Sequence, residues 1–218
     1  MTDDQRKKLK EILDNPPIAT ADDIRFSKPT DRGCVYLHGK GELEFLLSNI
    51  RKPPMIGNFP MIDNLWIVEI GTGKAGTTTQ MAAYSALNGY GLKVMTCSVD
   101  HRPEIDKELA LVKDYVNVVY YNTPNRDVWH RWQIDFPGAK IWFLFLDGSH
   151  NYAHVCNDLW AAKPYLISDA RIAVHDTQID TEYGQAETRA MEDFCAWNKR
   201  DFELMDKILE TTRVIRRK

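Results

Sequence analysis

The 218-residue sequence has no excess of basic charge: 28 Lys and Arg stand against 31 Asp and Glu, a formal net charge of -3. That balance offers no positive field to a nucleic-acid backbone or an anionic membrane surface, so neither is expected as a partner. Long hydrophobic runs are missing too. The longest falls far short of the roughly 20 apolar residues that span a bilayer. The opening MTDDQRKKLKEIL is charged where a secretory signal would be apolar. Cysteine is sparse. Its four copies, Cys34, Cys97, Cys156 and Cys195, form no CxxC pair, which argues against a disulfide frame or a thiolate zinc site and for reduced thiols in a cytoplasmic chain. Internal repeats and low-complexity tracts are absent. What remains is 44% hydrophobic residues, 27% charged residues and six Trp, enough apolar material for a sizeable core.

From residue 65 onward, short apolar runs alternate with stretches of helical length. The runs cover residues 65–70, 93–99, 117–121, 141–146 and 171–174. Each is nearly continuous in apolar character, as expected for strands buried on both faces. Helices are predicted at 77–88, 103–114, 126–136, 152–166 and 186–198. Regular alternation of this kind implies a mostly parallel, doubly wound α/β sheet with helices on both faces. The end of the chain breaks the rhythm: extended segments at 202–209 and 212–216, joined at Glu210-Thr211, read as an antiparallel hairpin. Residues 1–64 carry predicted helices at 4–13 and 42–50 joined by proline-rich chain. They are read as a helical cap on a sheet domain spanning 65–218.

The most informative segment is Glu69-Ile-Gly71-Thr72-Gly73-Lys-Ala-Gly76-Thr77. A buried strand runs into three glycines and then a helix, which suits close approach of backbone to a ligand and an anionic group at the helix start. A phosphate-binding P-loop needs Ser or Thr after Gly-Lys; here Ala75 follows Lys74. The G-x-G-x-x-G of a dinucleotide site is met literally, with Asp100 placed to hold a ribose. S-adenosylmethionine (SAM) is the third reading. It favours an acid two positions before the first glycine, where a carboxylate faces the ammonium of the methionine moiety rather than a pyrophosphate, and Glu69 is that acid. The charge argument selects SAM; an NAD-dependent oxidoreductase and a non-catalytic binding module of the same fold remain as alternatives.

Residues 65–176 resemble the class I SAM-dependent methyltransferases, whose Rossmann-like seven-stranded sheet ends in an antiparallel hairpin. The block Leu146-Asp147-Gly-Ser-His150-Asn-Tyr152, followed by Asp158 and by a strand ending in His175-Asp176, is similar to the small-molecule O-methyltransferases of the metal-dependent and cephalosporin-hydroxylase-like group. The resemblance implies cofactor contacts from Glu69, Gly71, Thr72, Gly73, Gly76, Thr77, Asp100, His101 and Asp147. It further implies adenine contacts from the loop 122–125.

Asp147 ends the fourth predicted strand and His175-Asp176 the fifth. Neighbouring parallel strands lie about 4.8 Å apart, so these groups can converge on one divalent cation. Such a cation would acidify an acceptor hydroxyl. The resemblance gives Asp147 and Asp176 as ligands of Mg²⁺, with His175 or Thr177 completing the set; a histidine there would tilt the preference towards Mn²⁺, Fe²⁺ or Zn²⁺. His150 is the candidate general base, its alternative role being a cap on the next helix. His150, His154 and Asp158 also stand at i, i+4, i+8, the spacing of a helical zinc face, although the H-E-x-x-H pattern is not met. Asp158 is expected on the helix surface or behind the ligands. Trp129 and Trp132 are candidates for lining the acceptor or adenine pocket. The expected activity is metal-assisted O-methylation of a small hydroxylated molecule, with self-association left open.

Overall fold

The apolar runs become the strands of one seven-stranded sheet. A computed structural model describes residues 1–18, 40–56, 59–60, 64–177, 182–205 and 211–218. Helices α1 (Asp3–Asp14) and α2 (Lys40–Asn49) come first, then a short antiparallel pair, β1 (Met55–Ile56) and β2 (Phe59–Pro60). There follow β3 (Leu65–Ile70), α3 (Gly76–Leu87), β4 (Lys93–Ser98), α4 (Pro103–Ala110), β5 (Val118–Asn122), α5 (Asn125–Asp135), β6 (Lys140–Leu146), α6 (Tyr152–Ala162) and β7 (Leu166–Val174). Helix α7 (Glu182–Trp197) and strands β8 (Phe202–Leu204) and β9 (Arg213–Arg217) complete the chain. The sheet order is β5-β4-β3-β6-β7-β9-β8. Strand β9 runs antiparallel to both β7 and β8, and the other pairings are parallel.

All six residues of β3 are buried, which is why the run carries no polar alternation. One face of the sheet packs Trp66, Leu144 and Ile172 against Trp132, Leu159 and Phe194 of α5, α6 and α7. The other packs Ile67, Phe143 and Phe145 against Leu9, Leu46 and Met81 of α1, α2 and α3. The N-terminal helices therefore form part of a covering layer and share the core of the sheet. The chain order reverses between β3, which leads outward to β4, and β6, which lies on its other side. Ligands of such sheets bind at this switch point, beyond the C-terminal strand ends.

Several boundaries differ from expectation. The helix predicted at 152–166 stops at Ala162, because Pro164 has no N–H with which to continue it. Strand β7 starts at Leu166 rather than at residue 171. Asp169 takes a left-handed φ of 65°, and the pairing with β6 shifts register between Ile141 and Phe143. Ser168-Asp169 thus form an irregularity inside one strand rather than a turn ahead of it. Helix α4 is shorter than predicted, and α7 starts earlier. The hairpin is present, but residues 206–210, which comprise the end of its expected first segment and Glu210 of the expected connection, lie outside the described residues. Among the described residues no helix is long and apolar enough to cross a membrane. Cys97, Cys156 and Cys195 are free thiols; Cys34 lies outside the described residues.

Candidate active site

Backbone hydrogen bonds bring the strand ends into line. Gly71 and Thr72 both donate to Cys97 O at the end of β4 (3.0 and 2.9 Å), Asp147 N donates to Ile70 O (2.8 Å), and His175 N donates to Leu146 O (3.0 Å). The three loops that follow β3, β6 and β7 are thereby held side by side. Gly71 has φ 105°, and a Cβ on it would meet Asp147 O at 2.0 Å and Gly148 Cα at 2.7 Å. Glycine is required there both by the backbone angle and by the closeness of the β6–α6 turn. After the loop, α3 starts from Ala75 in a left-handed conformation (φ 64°).

A cleft of about 1030 Å³ opens over these loops, lined by Gly71, Gly73, Asp100, Asp147, His150 and Asp158, among others. This lies at the upper end of the ~300–1,000 Å³ common for small-molecule sites. Gly71, Gly73, Asp100 and Asp147 thus stand on the cleft wall as the sequence predicts. Four other expected cofactor residues, Glu69, Thr72, Gly76 and Thr77, lie buried behind it. Glu69 in particular is a strut of the loop: Thr96 donates to its Oε2 at 2.7 Å and Thr78 donates to the same oxygen. Burial pushes its carboxyl up to about 7, against the lowering effect of those two hydroxyls. It sits there because β3 is buried on both faces.

His101 is turned away from the cleft. Its Nε2 lies 3.1 Å from Asp106 Oδ2, and Val99 and Arg102 line the cleft in its place. Of the loop 122–125, Pro124 reaches the wall; the side chain of Asn125 lies outside the described residues. Trp129 and Trp132 are core residues: Trp132 packs edge-on against Trp66 at 5.6 Å, and Trp129 donates its indole N–H to Asp158 Oδ1 at 3.0 Å. Asp158 is buried rather than on the helix surface. The helical zinc reading fails on the same geometry. Asp158 goes to Trp129, His154 Nδ1 to Ser149 Oγ (2.8 Å) and His150 Nδ1 to Glu187 Oε1 (2.8 Å).

Asp147, His175 and Asp176 do come together. His175 Nδ1 lies 3.0 Å from Asp147 Oδ1 and 3.5 Å from Asp176 Oδ1. Among the described residues they form the group of three potential ligands whose donor atoms all lie within 4.8 Å of one another. Successive strand residues point to opposite faces, but Asp176 follows β7 in a left-handed conformation (φ 55°), which breaks that alternation and lets both side chains serve one site. Thr177, the other candidate ligand, is engaged elsewhere, donating to Thr211 O at 2.8 Å. Burial raises the Asp147 carboxyl above the ordinary range while His175 opposes it. For His175 burial works against the charge, but Asp147, Asp176 and Glu42 outweigh it and hold the imidazole well above its ordinary value.

His150 stands on the turn after β6, its Nδ1 also 3.5 Å from Asp176 Oδ2. The cap of α6 is made by Asn151, whose side chain accepts from Ala153 N at 2.9 Å, so the capping role considered for His150 belongs to its neighbour. Two acids were not anticipated. Glu187 of α7 and Glu42 of α2 are 2% and 0% exposed, and each faces a histidine of the site. Burial raises the Glu187 carboxyl and the contact with His150 opposes it; the same contact raises His150, against the effect of its own burial.

No curated protein matches the chain by sequence. Among solved structures, CalS11, a calicheamicin methyltransferase, superposes with a TM-score of 0.64 at 14% identity, covering 98% of this chain and 91% of its own. An O-methyltransferase from Bacillus cereus in complex with SAH gives 0.60 at 13% identity, with 97% and 91% covered. The MycE methyltransferase in complex with Mg, SAH and mycinamycin VI gives 0.51 at 13% identity, with 71% and 45% covered. At these identities the likeness concerns the fold. A family profile described as a methyltransferase domain matches residues 68–177, the stretch running from β3 through the glycine loop and the Asp147 turn to the end of β7. With half the chain matched, and with it the three strand ends that build the cleft, the protein belongs to the methyltransferase-domain family.

Proposed function

We propose that this methyltransferase uses SAM as its methyl donor and methylates a hydroxyl group of a small molecule, with a divalent cation assisting. The observation that carries the reading is that one cleft joins the glycine loop and Asp100 to Asp147 and His150, with the Asp176 carboxylate 3.5 Å from His150 Nδ1. Donor and acceptor would meet where an acid and a base already stand. In the transfer, the acceptor oxygen forms a bond to the methyl carbon as the carbon–sulfur bond breaks, and the hydroxyl proton passes to His150. With Nδ1 donating to Glu187, the proton is received at Nε2. Much of the rate would come from holding the two reactants in line within the cleft.

The donor set fits a hard or borderline cation: two carboxylates and an imidazole with their donor atoms close together. Asp147 and Asp176, with His175, would hold it, and when bound it would lower the pKa of the acceptor hydroxyl. That MycE was solved with Mg and SAH, and that a second CalS11 structure is described as a TDP-rhamnose 3'-O-methyltransferase, supports both the metal and a sugar-like hydroxyl acceptor. Family membership sets aside the dinucleotide reading of the same glycines.

Thermal unfolding with added ligand tests the proposal. S-adenosylhomocysteine at 100 times its Kd should stabilise the chain by about 2.7 kcal/mol, and NAD should give no gain. Stabilisation by NAD alone would overturn the reading. Binding of the homocysteine product without methyl transfer to any phenol or sugar hydroxyl would favour a non-catalytic module instead.

A further inference from the structure

We propose that Glu42, from the N-terminal segment, orients His175 so that Nδ1 completes a three-point metal face with Asp147 and Asp176, a face suited to a borderline cation such as Mn²⁺. The inference rests on the metal-assisted reading above and adds the residue that positions its nitrogen ligand. Adjacent ligands bound at about 2.1 Å to one ion lie roughly 3–3.5 Å apart. His175 Nδ1 stands 3.0 Å from Asp147 Oδ1 and 3.5 Å from Asp176 Oδ1, within that spacing.

The opposite edge of the ring is held by groups distant in sequence. Nε2 lies 3.5 Å from Glu42 Oε2 and 3.3 Å from Thr211 Oγ1. Glu42 is itself fixed, because Thr211 and Thr212 donate their hydroxyls to its Oε1 at 2.9 and 2.6 Å. With its hydrogen spent on Glu42, the Thr211 oxygen meets Nε2 as an acceptor. Both neighbours of Nε2 therefore call for an N–H there. Nδ1 carries a hydrogen of its own towards Asp147 Oδ1 at 3.0 Å while no ion is bound. With Nε2 kept protonated, it is Nδ1, on the side of the two aspartates, that would give up its proton and turn its lone pair to a cation. Metal-binding histidines are held in this manner by a carboxylate on the far nitrogen. A nitrogen donor shifts preference from Mg²⁺, which favours oxygen, towards later divalent ions. Glu42, Thr211 and Thr212 all lie outside residues 68–177, the stretch matched by the family, so the device is supplied by the two ends of this chain.

The test uses the full chain and Mn²⁺ alone, with binding followed by calorimetry and pulsed electron paramagnetic resonance. Wild type should bind Mn²⁺ with a ¹⁴N modulation that disappears in His175→Gln. Glu42→Ala should weaken Mn²⁺ binding about 10- to 100-fold, and Glu42→Gln, which keeps an acceptor for Nε2–H, should restore most of it. Absence of nitrogen coupling in wild type, absence of Mn²⁺ binding, or unchanged affinity in Glu42→Ala would each overturn the proposal. If Glu42→Ala fails to fold, the nitrogen signal in wild type and its loss in His175→Gln decide the matter. S-adenosylhomocysteine affinity, measured on the same samples without metal, separates failure of this inference from failure of the methyl-transfer reading.

Discussion

Glu187 Oε1 lies 2.8 Å from His150 Nδ1, and the acid that makes this contact is buried in a helix far along the chain from the histidine. Its second oxygen, Oε2, is buried without a hydrogen-bond partner among the described residues. A carboxylate so placed fixes the ring and the tautomer, leaving Nε2 as the site of proton uptake. If His150 is the base, His150→Asn should lower kcat about 10²- to 10⁴-fold while S-adenosylhomocysteine affinity stays within a few-fold of wild type. Glu187→Ala should reproduce part of the kcat loss, and Glu187→Gln, which still accepts from Nδ1–H, should recover it. Steady-state methyl transfer to any hydroxyl acceptor that turns over checks this; unchanged kcat in His150→Asn would sink the assignment.

Gly71 makes a sharper demand on the fold. An alanine there must take a φ of 105° and place its Cβ 2.0 Å from Asp147 O, so the β6–α6 turn has to move. Gly71→Ala is expected to cost about 2–4 kcal/mol and to abolish product binding, because the displaced turn carries Asp147 and His150. Gly89→Ala is the control. It shares a left-handed φ of 65° but meets nothing within 4 Å, so it should cost about 1 kcal/mol and leave ligand binding intact. Melting curves with and without S-adenosylhomocysteine distinguish the two; equal behaviour would remove the role assigned to the Gly71 contact.

Burial raises Glu69 from 4.5 to about 7 in the folded chain. The folded state therefore binds this proton more tightly than the unfolded one. Its contribution to stability is full below about pH 4.5 and is lost as the pH rises to 7 and beyond. The gap corresponds to roughly 3 kcal/mol. Glu69→Gln keeps an oxygen for Thr78 and Thr96 but has nothing to ionise. Its stability relative to wild type should climb by up to that amount between pH 5 and 8, read from denaturant titrations across the range. A constant difference between the two proteins would show that Glu69 does not titrate as described.

The sheet and its glycine loop were legible because burial on both faces leaves an unbroken apolar run, and because a strand, three glycines and a helix form a local pattern. Asp147, His150, His175 and Asp176 were legible for a related reason: each stands just after a predicted strand, and parallel strands place their ends together. Glu42 and Glu187 carry no such local mark, since they reach the site from helices at opposite ends of the chain. A weaker signal was available. Glu187 shares a helical stripe with Ala190, Met191 and Phe194, and Glu42 with Phe45 and Leu46, all buried. A carboxylate on an apolar stripe requires a partner, and each of these acids finds a histidine. The burial of Glu69 and the pairing of His101 with Asp106 were not legible, because strand and loop position do not reveal which way a side chain turns. Trp129 and Trp132 were misplaced because an aromatic surplus does not separate pocket from core.

The contact between Trp129 and Asp158 offers a test of how the cleft wall is supported. The indole N–H reaches Asp158 Oδ1 at 3.0 Å, and both side chains are buried. Asp158 also lines the cleft, so this bond ties a wall residue of α6 to the core of α5. Trp129→Phe keeps most of the ring but removes the donor, leaving a buried acid short of one hydrogen bond at a cost of about 1–3 kcal/mol. Asp158→Leu removes the acid and leaves the indole N–H without its acceptor. If the bond is the main link between them, the double variant should be less destabilised than the sum of the singles by about 1–3 kcal/mol, since neither orphaned group remains. Denaturant unfolding of the four proteins gives the coupling directly. Additivity within about 0.5 kcal/mol would mean that the wall is held by packing around the tryptophan and that the hydrogen bond contributes little.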